Sequence, residues 1–125
     1  MFIVDEETGD AVCRQGDSGK LLIEGLPTDR AYKCYFSVYD TNRKRLFELE
    51  EDVTSEGTVV FNLSPSNTNL LEVPTKQKSL LYFYGIKISY EEDDYEDTLT
   101  VGDKKYSDKN KLEVFPLITE GTING

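Results

Sequence analysis

The sequence predicts an all-β domain built as two antiparallel sheets packed face to face, and three observations predict it. From Leu80 to Tyr90, the residues Leu80, Tyr82, Tyr84, Ile86, Ile88 and Tyr90 fall on one face of a two-residue repeat, while Leu81, Phe83, Gly85, Lys87 and Ser89 fall on the other. Alternation of this length, carried by aromatic and β-branched residues, specifies a strand; a helix would scatter the same residues around its circumference. Shorter apolar or alternating stretches recur along the chain with turn residues between them, for about seven or eight strands, the spacing of a sandwich. A helix start appears once, at Ser64-Pro65, with serine at the N-cap and proline at the first helical position. A small closed barrel is the alternative arrangement of the same strands.

In chain order, Phe2-Ile3-Val4 is an edge strand or an arm, within residues 1–10, that docks on another subunit; an acidic turn closed by Gly9 follows. Residues 11–14 are extended, and Gln15-Gly16-Asp17-Ser18-Gly19 breaks them with two glycines. Residues 20–24 form a strand bounded by Gly25 and Pro27. Residues 31–40 form the second clear strand, with Tyr32, Cys34, Phe36 and Val38 on the uncharged face that suits a core. A polar turn, Asp40-Thr41-Asn42-Arg43-Lys44, returns it as a hairpin through 45–50. Residues 52–57 are turn-like, 58–63 a strand, and 65–71 one or two helical turns stopped before Pro74. After the long strand come an acidic connection over 91–97, a return to Val101 and a polar link. The last strand spans 112–118, where Pro116 suits an edge or a bulge. The tail, 119–125 around Ile123, is ordered only where a neighbour holds it.

Charge and chemistry narrow the function. The 24 acids against 14 bases, a net charge of −10, oppose binding to phosphate backbones and to anionic membrane surfaces, so neither nucleic acid nor membrane is an expected partner. No apolar run approaches the roughly 20 residues that cross a bilayer. The start, Met1-Phe2-Ile3-Val4-Asp5, has no basic region and no small-residue cleavage site, which predicts synthesis without a secretory signal. Histidine is absent, and neither GxxxxGK[ST] nor GxGxxG occurs, so the usual general base, metal ligand and phosphate loops are missing. The expectation is a non-enzyme with no cofactor.

Two further features have competing readings. Residues 91–97 hold six carboxylates in seven positions, and Asp93, Asp94 and Asp97 are the calcium candidates because hard cations take clustered oxygens. The EF-hand spacing and its glycine are missing, so a solvated hairpin tip competes, as does a docking point for a basic partner. Cys13 and Cys34 form a disulfide if their strands are neighbours; without a secretory signal, reduced buried thiols are expected. The tyrosines divide in the same way. Tyr82, Tyr84 and Tyr90 are interface candidates, since tyrosine buries apolar area and keeps a hydroxyl, and a core with rim hydroxyls is the competing reading. Phe2, Ile3, Val4, Leu117, Ile118 and Ile123 complete the interface candidates as short apolar arms.

Arg14-Gln15-Gly16-Asp17-Ser18-Gly19, followed by a strand and Gly25-Leu26-Pro27, resembles the RQGDT-type opening of the N-terminal domains of phage baseplate upper proteins and related virion proteins. Tyr82-Phe83-Tyr84-Gly85-Ile86-Lys87, Glu96-Asp97-Thr98-Leu99 and Val114-Phe115-Pro116 are similar to small phage and prophage structural proteins, in which a YYYGIK…EDTL hairpin precedes a terminal VYP strand. The resemblance covers most of the chain in order and rests on short motifs. It implies an immunoglobulin-like β-sandwich that assembles into a virion, with other virion proteins or copies of itself as partners and no catalytic residues to transfer. A tail-, baseplate- or head-associated adaptor or decoration component, made in the bacterial host cytoplasm, is the expected role. The alternative is an acidic mimic of nucleic acid that inhibits a host nuclease or defence protein, which requires carboxylates along one surface stripe. An extracellular adhesion or carbohydrate-binding module is a third class, against which the absence of tryptophan counts.

Overall fold

The uncharged face of residues 31–40 and the long alternating strand are directly paired at the centre of the molecule, and the remaining strands build outward from them. The computed structural model describes residues 1–92, 94–102 and 109–118. Among these, nine strands and one short helix occur: β1 (Phe2–Val4), β2 (Ala11–Arg14), β3 (Gly19–Ile23), β4 (Lys33–Tyr39), β5 (Arg45–Asp52), β6 (Val59–Leu63), α1 (Pro65–Thr68), β7 (Leu80–Tyr90), β8 (Tyr95–Leu99) and β9 (Asn110–Phe115). The chain is therefore mostly β, as its pattern predicts, with its one helix where Ser64-Pro65 places it.

One sheet holds seven strands in the order β1-β2-β9-β7-β4-β5, with β8 added to β7. β9 pairs with Leu80 to Tyr84 of β7 and β8 with Ile86 to Tyr90, so the two share one side of β7 while β4 takes the other. This sheet curls as a half-barrel. The remaining strands, β3 and β6, form a two-stranded antiparallel ribbon. β3 runs beside β1 and β6 beside β5, so the ribbon bridges the two margins of the curled sheet. Two face-to-face sheets of comparable size do not describe this arrangement.

The expectation of wholly antiparallel pairing is corrected at one place: β2 and β9 run parallel, with Ala11 opposite Leu112 and Cys13 opposite Val114. Alternation reports which face a residue occupies and is silent on strand direction. The parallel register keeps Ala11, Cys13, Leu112 and Val114 together on the buried face, all with almost no exposure.

Phe36 lies at the centre of the core and is fully buried. Its ring meets Phe2 edge-on at 5.6 Å, Phe61 at 5.8 Å, Tyr84 at 5.6 Å and Phe47 at 6.4 Å between centroids. These partners come from β1, β6, β7 and β5, so one side chain on β4 ties the curled sheet to its ribbon. The charge-free face assigned to residues 31–40 is the buried one: Tyr32, Cys34, Phe36 and Val38 are all interior.

Element ends show where local chemistry intervenes. The Ser64 hydroxyl accepts from the Asn67 N–H at 3.2 Å and the Asn67 carbonyl Oδ1 accepts from the Ser64 N–H at 2.8 Å, a reciprocal cap. The α-helix stops at Thr68, shorter than 65–71. Winding continues to Leu71 through the tighter bonds Leu70 N–H to Asn67 O and Leu71 N–H to Thr68 O, which turn Leu71 into the core. At the other end of the chain, β9 ends at Phe115 rather than at 118, because Pro116 has no N–H to continue the ladder. Pro116 thus terminates a strand that lies between β2 and β7, and is not a bulge on an edge strand. No helix among the described residues is long and apolar enough to cross a membrane.

Candidate functional site

The structure places the interface candidates in different environments. Phe2, Tyr82 and Tyr84 point inward and are buried, so their rings are not offered to a partner. The Tyr82 hydroxyl donates to the Glu72 carbonyl at 2.6 Å, and the Tyr84 hydroxyl donates to the Gly9 carbonyl. These tyrosines belong to the core with rim hydroxyls. Val4 is half-buried against that core. Ile3, Leu117 and Ile118 face solvent, Ile3 at 57% and Ile118 at 73% exposure. Ile123, with the arm 119–125, lies outside the described residues.

Tyr90 has a third environment. Its ring stacks on Tyr95 at 4.8 Å, meets Tyr32 edge-on at 5.1 Å and carries the Arg30 guanidinium at 4.9 Å. Tyr32 donates its hydroxyl to the Asp29 carboxylate at 2.9 Å, and Arg30 reaches Glu92 at 3.7 Å. The cluster clamps the acidic hairpin to the loop before β4.

That hairpin differs from the expected tip. β8 begins at Tyr95, so Glu96 and Asp97 stand on a strand opposite Ser89 and Ile88, and Glu96 lies 3.7 Å from Lys87. The calcium candidates Asp94 and Asp97 are therefore divided between turn and strand, and Asp93 lies outside the described residues. Among the described residues, no three His, Cys, Asp or Glu side chains are grouped to hold a metal ion. A row of carboxylates does occur on β5, where Glu48, Glu50 and Asp52 alternate along the strand. Lys33 sits 3.5 Å from Glu50 and 3.4 Å from Asp52, and Arg45 sits 3.1 Å from Glu48. A strip that carries its own cations is a weak counterfeit of a phosphate backbone.

Two surface features escaped the sequence reading. The first crosses four strands of the large sheet on its outer face. Ile3 is opposite Val12, Val12 opposite Glu113, and Glu113 opposite Leu81, a row with three apolar side chains, of which Ile3 and Leu81 are exposed. The second is a cleft of about 450 Å³ on the same sheet, with Tyr39, Arg43, Phe83, Gly85, Thr98 and Lys109 in its lining. Lys109 Nζ lies 5.1 Å from the centroid of the Phe83 ring. The Asp40 carboxylate, also at the rim, is engaged by the turn, accepting from the Asn42 and Lys44 N–H groups at 2.8 and 2.9 Å. Both features join residues from strands far apart in sequence, so only strand order reveals them.

The two thiols are free and buried. Their strands, β2 and β4, have β9 and β7 between them, which puts them about 14 Å apart along the sheet at ~4.8 Å per strand. A disulfide, whose Cα atoms lie within about 7 Å, is thereby excluded. Burial pushes the Cys13 thiol up to about 12 and the Cys34 thiol up to about 11, from an ordinary 9.0. Unfolded thiols lose their protons near pH 9 while the folded ones keep them, so this contribution to stability is complete below pH 9 and fades as pH rises through 11 and 12. A thiol-specific disulfide reagent at pH 8 is expected to label neither cysteine in the native protein and both after denaturation. Fast native labelling would contradict their burial.

No family model and no curated protein matches the chain.

Proposed function

We propose that this chain is a non-enzymatic structural protein of a phage virion, an adaptor or decoration component of tail, baseplate or head that works through protein–protein assembly. The immunoglobulin-like kinship implied by its motifs is part of the proposal. The observation that carries it is the contact between motif segments lying a hundred residues apart. Arg14 of the RQGD run donates from its guanidinium to the Pro116 carbonyl at 2.8 Å, and its charge lies over the Phe115 ring at 5.8 Å. The Gln15 N–H donates to the Phe115 carbonyl at 2.9 Å, and the Gln15 side-chain carbonyl accepts from the Val73 N–H at 3.3 Å. The other motif pair, residues 82–87 and 96–99, forms the β7–β8 hairpin, where Leu99 is opposite Ile86 and Thr98 opposite Lys87. Short motifs that form one bonded unit are better support than the same motifs scattered over a surface.

The exposed apolar side chains Ile3, Leu81, Leu117 and Ile118 are the surface this reading assigns to neighbouring subunits. Mass spectrometry of purified particles of the phage that encodes the chain is the test. The expected result is a fixed stoichiometry in the particle, and loss of incorporation on Ile3→Glu or Ile118→Glu with the isolated domain still folded. Absence of the chain from purified particles would overturn the proposal.

A further inference from the structure

We infer that the cleft beside Gly85 is a binding site for an organic monoanion, a planar apolar body bearing one carboxylate. The inference does not depend on the virion assignment. It begins with a gap in the large sheet: β8 ends with Leu99 opposite Ile86, and β9 begins with Asn110 opposite Tyr84. Gly85 between them is paired with Ser37 of β4 on one side and has no register partner among the described residues on the other. The cleft lies at this gap.

Two residues there are poor choices for local structure. A glycine inside a central strand weakens it, and a Cβ added at Gly85 would meet no atom of the described residues within 4 Å. Among the described residues, neither packing nor a left-handed backbone requires glycine at this position; what a side chain would do is fill the cleft. Arg43, conversely, adopts φ +66 in the β4–β5 turn, a conformation that glycine or asparagine reaches more cheaply. So the strand holds glycine where a side chain would serve it better, and the turn holds arginine where glycine would. Both departures line the same cleft, and local rules broken together at one place mark function more often than accident.

The lining names the ligand class. Tyr39 and Phe83, directly opposite each other in register, supply aromatic surface for a flat apolar body. Among the described residues, Arg43 forms no ion pair and Lys109 is held only on the Phe83 ring, whereas Lys33, Arg45 and Lys87 sit on carboxylates. A guanidinium fork matches a planar carboxylate, with the ammonium as a second point charge. The net charge of −10 repels multiply charged anions more strongly than monoanions. The carboxylate belongs to a free acid or to the C-terminus of a peptide.

The test is amide NMR titration at low salt with 3-phenylpropanoate, with 3-phenylpropan-1-ol and acetate as the partial probes. Saturable shifts at Tyr39, Gly85, Thr98 and Lys109 are expected with 3-phenylpropanoate, and affinities at least about ten-fold weaker for either partial probe, a tenfold step being 1.4 kcal/mol. Gly85→Val is expected to abolish binding and Arg43→Gly to weaken it about ten-fold. Both variants should melt at or above the parent temperature, because each restores the residue that local structure prefers. Loss of binding therefore cannot be mistaken for unfolding. Equal binding by the alcohol, unchanged binding to Gly85→Val, or no saturable shift at these residues would overturn the inference. N-acetylglycylphenylalanine binding more tightly than 3-phenylpropanoate assigns the carboxylate to a chain end, and weaker binding assigns it to a free acid.

Discussion

Phe36→Ala is expected to cost about 3–5 kcal/mol, the range for removing a fully buried aromatic ring. The ring is fully buried and touches Phe2, Phe47, Phe61 and Tyr84, which belong to four different strands. Its removal takes away the transfer free energy of the ring and leaves a cavity bounded by rigid strands, which relax poorly. Domains of this size are stable by only about 5–15 kcal/mol, so the variant is expected to lose roughly a fifth or more of that margin. Urea unfolding followed by circular dichroism measures it. A midpoint within about 0.5 M of the parent would show that the core does not depend on this ring. Phe47→Ala serves as the comparison: it touches Phe36 from the strand at the sheet's end, and should cost less.

The second large effect is expected at Gly9, where the cause is backbone geometry. Gly9 has φ +78, and a Cβ there would stand 2.2 Å from the Val101 carbonyl oxygen and 2.5 Å from Asn110 Nδ2. Its own carbonyl accepts from the Tyr84 hydroxyl and, at 3.3 Å, from the Asn110 amide, which also donates to the Val101 carbonyl at 3.2 Å. Gly9→Ala meets the left-handed penalty of about 1–2 kcal/mol and overlap costing about 1–3 kcal/mol more. The melting temperature is expected to fall by on the order of 10 °C. Gly25→Ala separates the two causes. Gly25 has φ +73 but, among the described residues, nothing within 4 Å of an added Cβ, so it should cost only the conformational part, about 1 kcal/mol. Equal losses at the two positions would refute the account based on overlap.

Part of this architecture is legible in the amino-acid sequence. The strand from Leu80 to Tyr90, the core face of residues 31–40 and the cap at Ser64 were legible because each is written locally, in a period of two or in a pair of adjacent residues. Phe2, Tyr82 and Tyr84 were harder, since an aromatic on the apolar face of a strand is the same symbol whether that face meets a core or a partner. The division of 91–97 between turn and strand was hidden for a similar reason: carboxylates on an open strand flank look like carboxylates in a loop. The parallel β2–β9 pair and the cleft at Gly85 were not legible at all. They follow from which strands become neighbours, and Gly85 reads as a weak spot in a strand until the gap between β8 and β9 is known.

The parallel pairing also orders events in time. β4 with β5, β7 with β8, and β3 with β6 join residues close enough in sequence, or simply enough connected, to find one another early. Arg14 and Pro116 are 102 residues apart, and β1 and β2 reach the rest of the sheet through β9. Closing so long a loop loses chain entropy before any contact repays it. Until β9 is seated on β7, β2 has no strand of the large sheet to join, and β1 reaches the core only along β3. The RQGD and VFP segments are the latch that joins the start of the chain to β9.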